Sequence, residues 1–309
     1  PTEFVARAAA ARVRMECMVQ RLYEEGRPLN SKSEINDPAG VAIQWAHWLT
    51  RVRGKPNDYQ LYETIAAEQA DRYAKNGKPH RAISTLDQLI GHLETRLQTD
   101  GERSDWIQSL AYARMNRAGI QAQIDNFPDA TSDYRLAIQE LERGWTLADS
   151  DAFFRVNLAT AEINLAKLLI CGSEEDRRTA KELIERSIPT YQTLLAESPT
   201  EDLLRRLADS HAMMATAIDD EEQIRHHLLQ CDVAFQVLRD QDRLTDEDRL
   251  DWIKILGDLN RLSVTGPKMI QTHLDTVDRI RNQLQSDSLD ASQRQRYREL
   301  IGDDVLIRK

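Results

Sequence analysis

Apolar positions recur along this chain at helical spacing, in paired runs separated by short polar breaks. Phe4, Val5, Ala8, Ala9, Val13, Met18, Val19 and Leu22 predict a helix over 2–25, which Gly26 and Pro28 end. A polar stretch over 27–40 follows, a candidate hinge. The next helix carries Val41, Trp45, Trp48, Leu49 and Val52 on one face. From there the runs come as hairpins. Asn57 or Asp58 caps a helix to about 76, Gly77 closes it, and Pro79 opens its partner, to about 97. Ser104 and Asp105 cap a helix from near Trp106 to about 126, and Pro128 starts its partner, to about 147. An apolar helix over 153–169 precedes one over 174–196, in which Pro189 predicts a kink or break near Ser187. Thr200 introduces a helix to about 218, and after a turn at Asp219 and Asp220 a partner runs to about 238. Thr245, with Asp248 three residues on, caps a helix carrying Trp252 and Leu256. Gly266-Pro267 is a break. One more helix runs to about 284, and a short closing helix lies within 289–309.

The hairpins repeat. On their first helices stand Ala70, Ala118, Ala166 and Ala215, spaced by 48, 48 and 49 residues. On their second helices Leu89, Ala137, Ser187 and Ala234 follow at steps of 48, 50 and 47. Small residues at matched positions let paired helices approach closely, and stacked neighbours bury what one hairpin leaves exposed. Tyr73, Gly77 and Ala82 accompany Ala70; Ala130 and Tyr134 accompany Ala118 and Ala137; Leu165, Ala180 and Met214 continue the series, and Leu256 with Gly257 begins a fifth, weaker unit. In these residues, over roughly 57–285, the chain resembles the tetratricopeptide (TPR) repeats, although its period of about 48 exceeds that family's roughly 34 residues. The resemblance implies an all-α fold, an α-α superhelix of antiparallel helical hairpins. The expected organisation is a helical cap region over 1–54, the repeats over 55–285, and a capping helix with tail over 286–309. The stretch from Leu194 to Ala215 also resembles the repeat arrays attached to large bacterial serine/threonine protein kinases, without any kinase catalytic motif.

Composition fits long helices: 41% hydrophobic residues, 30% charged, and only 12 glycines and 9 prolines. A formal charge of −10 argues against nucleic-acid binding, which needs a basic surface. Apolar runs fall short of the roughly 20 residues of a membrane span, so no membrane insertion by this segment is expected. A cytoplasmic location is expected, the alternative being a soluble region of a membrane-anchored protein. Cys17, Cys171 and Cys231 do not form a disulfide framework and read as packing residues.

Candidate chemistry is sparse. Glycine spacing excludes a P-loop and a GxGxxG fingerprint, and there is no GxSxG or HExxH. His227 and Cys231 have metal-ligand chemistry at i, i+4, but two ligands do not close a site, so no metal and no cofactor are expected. The acidic runs 219–222 and 246–248 sit where carboxylates cap helices, and read as solvated caps. Trp106 and Trp252 share the pattern D-W-I-x-x-L and read as core anchors. In the register implied by the TPR resemblance, Tyr112, Asn116, Asn164, Lys167, Lys254 and Arg261 face the concave side as candidate peptide-binding residues. The expectation is therefore a noncatalytic scaffold for a protein or peptide ligand, a regulatory region of a larger bacterial signalling protein. Its alternatives are a self-associating spacer (a homo-oligomer), or a small-ligand sensor or helical enzyme.

Overall fold

The computed structural model describes residues 56–148 and 152–262, together with Ile43, Ala46, His47 and Thr50, which are helical. Expectations for the remainder of 1–55, for Cys17 and for 263–309 lie outside the described residues. Among the described residues there are nine helices and no strand. These are α1 (Pro56–Lys75), α2 (Pro79–Asp100), α3 (Ser104–Gln123), α4 (Phe127–Leu147), α5 (Ala152–Leu169), α6 (Glu174–Glu197), α7 (Glu201–Ala217), α8 (Glu221–Asp240) and α9 (Asp246–Leu262). First helices start at 56, 104, 152, 201 and 246, successive steps of 48, 48, 49 and 45 residues. The fold is the expected all-α array of TPR-like antiparallel hairpins.

Turn chemistry explains where the helices stop. At the first hairpin Gly77 has φ +68°, Lys78 N–H donates to the Tyr73 carbonyl at 2.8 Å, and Gly77 N–H donates to Ala74 at 3.0 Å. This is a Schellman cap, which needs a left-handed residue. Forty-eight residues on, Asp125 takes that conformation at φ 59°, with Asn126 N–H donating to Gln121 at 2.9 Å. Asp tolerates the left-handed region better than most residues, so the turn survives without glycine.

Helix starts follow side-chain caps in the later hairpins. Ser173 and Asp176 form a reciprocal capping box, Thr200 accepts from Leu203 N–H, and Asp220 accepts from Gln223 N–H at 2.8 Å. Four expectations need correction. Pro56 opens α1, so Asn57 and Asp58 lie inside its first turn, and α3 begins at Ser104 with Arg103 as the flanking residue. α6 continues through Pro189 without a break, because Pro189 is on the exposed side, where a freed carbonyl meets water. Cys171 is exposed in the turn after α5, next to the buried Ile170.

The chain divides into two compact units, 1–140 and 141–309, each described here by itself. In the first, α1, α2 and α3 pack in sequence, and Ile43 and Ala46 join their core. Ala70, Ala82, Ala118, Ala130 and Ala137 are all buried. The Arg96 guanidinium is clamped between the rings of Tyr59 and Trp106, 3.6 and 3.7 Å from their centroids, tying α1, α2 and α3 together. Arg117 of α3 donates to Asp133 of α4 through two bonds of 2.6 Å, and to Asp87 of α2.

In the second unit α5 to α9 pack in sequence, and α5 also touches α7. A Cβ on Gly144 would run into the ring of the buried Phe154. Ser187, the one polar residue in the second-helix series of small positions, bonds Glu162 at 2.9 Å, and Arg186 pairs with the same carboxylate. Burial nevertheless pushes the Glu162 carboxyl above its ordinary value. Trp252 is fully buried and its indole N–H donates to Asp232 at 2.9 Å, while Phe235 stacks on its ring. Both D-W-I-x-x-L tryptophans are thus core anchors.

Candidate functional site: a cleft on the first helices

The second unit carries a cleft of about 590 Å³ between α7 and α9, with Lys167 of α5 at its edge. Its origin is local. α7 contributes the small Ala208, Ala212, Ala215 and Thr216 at i, i+4, i+7 and i+8, with Asp209 and Met213 beside them, so much of its face carries little side-chain volume. Larger residues of α8, Ile224, Leu228 and Phe235, form an apolar floor. The α9 wall is one helical face: Glu247, Asp251, Lys254, Ile255, Asp258 and Arg261.

Two pairs fix the rim. Lys167 Nζ donates to Asp209 of α7 at 3.2 Å, and Arg261 donates to Asp258. Among the described residues, Glu247, Asp251 and Lys254 make no ion pair. Burial, with Asp209 and Glu247 nearby, pushes the Asp251 carboxyl above its ordinary value, and Lys254 opposes this in part. Beneath the cleft, Arg205 donates to Asp248 at 2.9 and 3.0 Å, and Asp248 closes a capping box with Thr245. The run 246–248 therefore caps α9 as expected. It is not simply solvated: Asp248 is buried and Glu247 lines the cleft.

Behind the α7 wall, His211 Nδ1 and His227 Nδ1 lie 2.9 Å apart. One nitrogen must donate and the other accept, so at least one of the two imidazoles is neutral. Burial and the neighbouring His227 and His226 lower the His211 pKa to about 4. The Cys231 thiol donates to the Ala208 carbonyl at 3.2 Å, and burial raises its pKa. His227 and Cys231 thus have hydrogen-bonding and packing roles. Among the described residues no three metal-ligating side chains converge.

Three of the six candidate residues, Lys167, Lys254 and Arg261, line this one cleft. Asn164 lies half-buried on α5, one turn before Lys167, and does not line it. Tyr112 and Asn116 belong to the first unit, one turn apart on α3, with Tyr112 48% exposed. Asp209, Glu247 and Asp251 were not anticipated. The available signal was the alanine run 208, 212, 215, an unusually small face on an amphipathic helix.

With this geometry the chain is a TPR-like helical repeat protein. No family model matches it, and no curated protein matches it in sequence. Among solved structures it is similar to BtubC (BKLC) from P. vanneervenii, at 17% identity and a TM-score of 0.57, over 79% of this chain and 87% of that one. TPR-like repeats of a putative kinesin light chain of Podosopora anserina align at 17% identity with a TM-score of 0.43, over 72% and 96%. The nuclear import adaptor Nro1 aligns at 12% identity with a TM-score of 0.42, over 86% and 92%. The first likeness supports the fold. The other two are too distant to carry an argument. Among the described residues no helix is long and apolar enough to cross a membrane.

Proposed function

We propose that this chain is a noncatalytic binding module whose α7–α9 cleft holds a segment of a partner protein. The observation that carries the reading is an open, apolar-floored cleft lined by the first helices of successive hairpins, with Lys167, Lys254 and Arg261 at its rim. Its volume of about 590 Å³ lies within the several-hundred Å³ range of ligand-sized pockets, room for a few side chains of a peptide. Affinity would come from apolar burial against the half-buried Ala212, Met213, Ala215 and Ile224, and orientation from the charged walls. Asn164, and Tyr112 with Asn116 on the first unit, are proposed as further contacts for a longer ligand. The likeness of 194–215 to kinase-attached arrays supports placing the module in a larger bacterial signalling protein, where it would recruit or regulate.

The test is selection of peptides from a random displayed library on the whole chain, followed by rebinding to Ala212→Trp. An indole at 212 would enter the cleft. Selected peptides should lose about tenfold or more in affinity, at unchanged helical circular dichroism. Peptides that rebind Ala212→Trp undiminished would overturn the assignment.

A further inference from the structure

The cleft has an uneven charge pattern. Four carboxylates line it, Asp209, Glu247, Asp251 and Asp258, against three cations, Lys167, Lys254 and Arg261. Lys167 is taken by Asp209 and Arg261 by Asp258. Glu247 and Asp251, one turn apart at the N-terminal end of α9, have no ion-pair partner among the described residues. Asp209 faces them from α7, close enough to act on Asp251. Like charges so placed repel one another, and a cation between them would relieve the repulsion. One turn further along α9 comes Ile255, and the half-buried Ala212, Met213, Ala215 and Ile224 supply the accessible apolar surface of the cleft. A purely apolar ligand would leave Glu247 without a counter-charge and Asp251 only partly offset by Lys254. An acidic ligand would meet four carboxylates.

We propose, resting on the cleft being the binding site, that it selects a peptide in which an apolar side chain neighbours a lysine or arginine. The apolar group sits against the half-buried Ala212, Met213 and Ala215 of α7 and Ile224 of α8. The cation sits between Glu247 and Asp251, with Asp209 opposite. Lys254 is placed to receive a carboxylate or backbone carbonyl further along the same peptide and so to set its direction.

The test uses the whole chain and three fluorescent peptides of equal length, alternating leucine with lysine, with glutamate or with serine, followed by anisotropy. The leucine–lysine peptide should bind about tenfold or more tightly than the other two, and lose that advantage between about 0.05 and about 0.5 M salt. Glu247→Gln with Asp251→Asn, near-isosteric changes on exposed side chains, should abolish the preference and keep the helical signal. Glu247→Lys with Asp251→Lys should reverse it toward the leucine–glutamate peptide. Equal binding of all three peptides, lost in Ala212→Trp, would leave the cleft as the site and overturn the cation selection. A lysine preference that persists in Ala212→Trp, or no binding by any of the three, would overturn both.

Discussion

Ala118 and Ala212 stand on first helices of different hairpins, and small side chains have opposite consequences there. In the first unit Ala118 is fully buried, and the joint around it is closed by Arg117 bonded to both Asp133 and Asp87. In the second unit Ala212 and Ala215 are only half-buried and line a cleft. Where a neighbouring helix comes close, a small residue is a packing device. Where no neighbour fills the face, it lines space. Arg205 ties α7 to the start of α9 through Asp248, and Lys167 ties α5 to α7 through Asp209, while Ala212 and Ala215 line the cleft beyond them.

That comparison can be broken at several points. The largest effect is expected from Trp252→Ala, about 3–5 kcal/mol of lost stability by urea unfolding, because a fully buried ring disappears and Asp232 loses a donor. Trp106 lies in the other unit against two guanidiniums rather than a carboxylate, and Trp106→Ala should cost less. An equal loss would show that the two anchors are interchangeable.

Next comes acid. The folded His211 pKa of about 4 lies below the ordinary value of about 6.5, so the unfolded chain takes up a proton first as pH falls. The neutral pair's contribution is complete above about pH 6.5 and is lost as pH falls toward about 4. His211→Leu should therefore flatten the fall in stability between pH 7 and pH 5 by on the order of 2 kcal/mol. An unchanged acid profile would mean that the pair is charged or open in solution. His92 in the first unit, lowered to about 4 by burial with His47 and Arg96 nearby, sets a matching loss that this variant leaves intact.

Volume tests the comparison itself. Ala118→Leu should cost about 1–3 kcal/mol through overpacking. Ala212→Leu should change stability by no more than about 0.5 kcal/mol, since the new side chain enters the cleft. A large loss at both sites would mean that α7 and α9 are in contact. The smallest effect belongs to Lys167→Ala: its pair with Asp209 is exposed on both sides, and its removal should alter stability by under about 1 kcal/mol.

The hairpins were legible because helical periodicity, Gly77, Pro79 and the Thr200 and Thr245 caps are local signals. The glycine-free turn at Asp125 was placed only to within a few residues, since an aspartate in the left-handed region looks like any polar residue. Pro189 does not break α6, because a proline on an exposed face frees a carbonyl that water can satisfy. The Arg96 clamp was invisible, as it joins residues 59, 96 and 106 from three helices. The cleft was half legible. Lys167, Lys254 and Arg261 followed from the family register, and Ala215, which packs against the core with its partner helix as expected, also lines the cleft. Alanine spacing alone does not show which part of a small face is covered by a neighbouring helix and which part lines a cleft.

The central claim is that the open face of α7 and α9 is where a partner segment lies. Methyl-resolved NMR of the whole chain, titrated with the leucine–lysine peptide, addresses it directly. Shifts confined to the methyls of Ala212, Ala215, Leu228 and Ile255, with Ala70 and Ala118 unmoved, are the predicted result. Shifts centred instead on the exposed Leu229, Val233 and Val237 of the outer α8 face, with the α7 alanines silent, would contradict it.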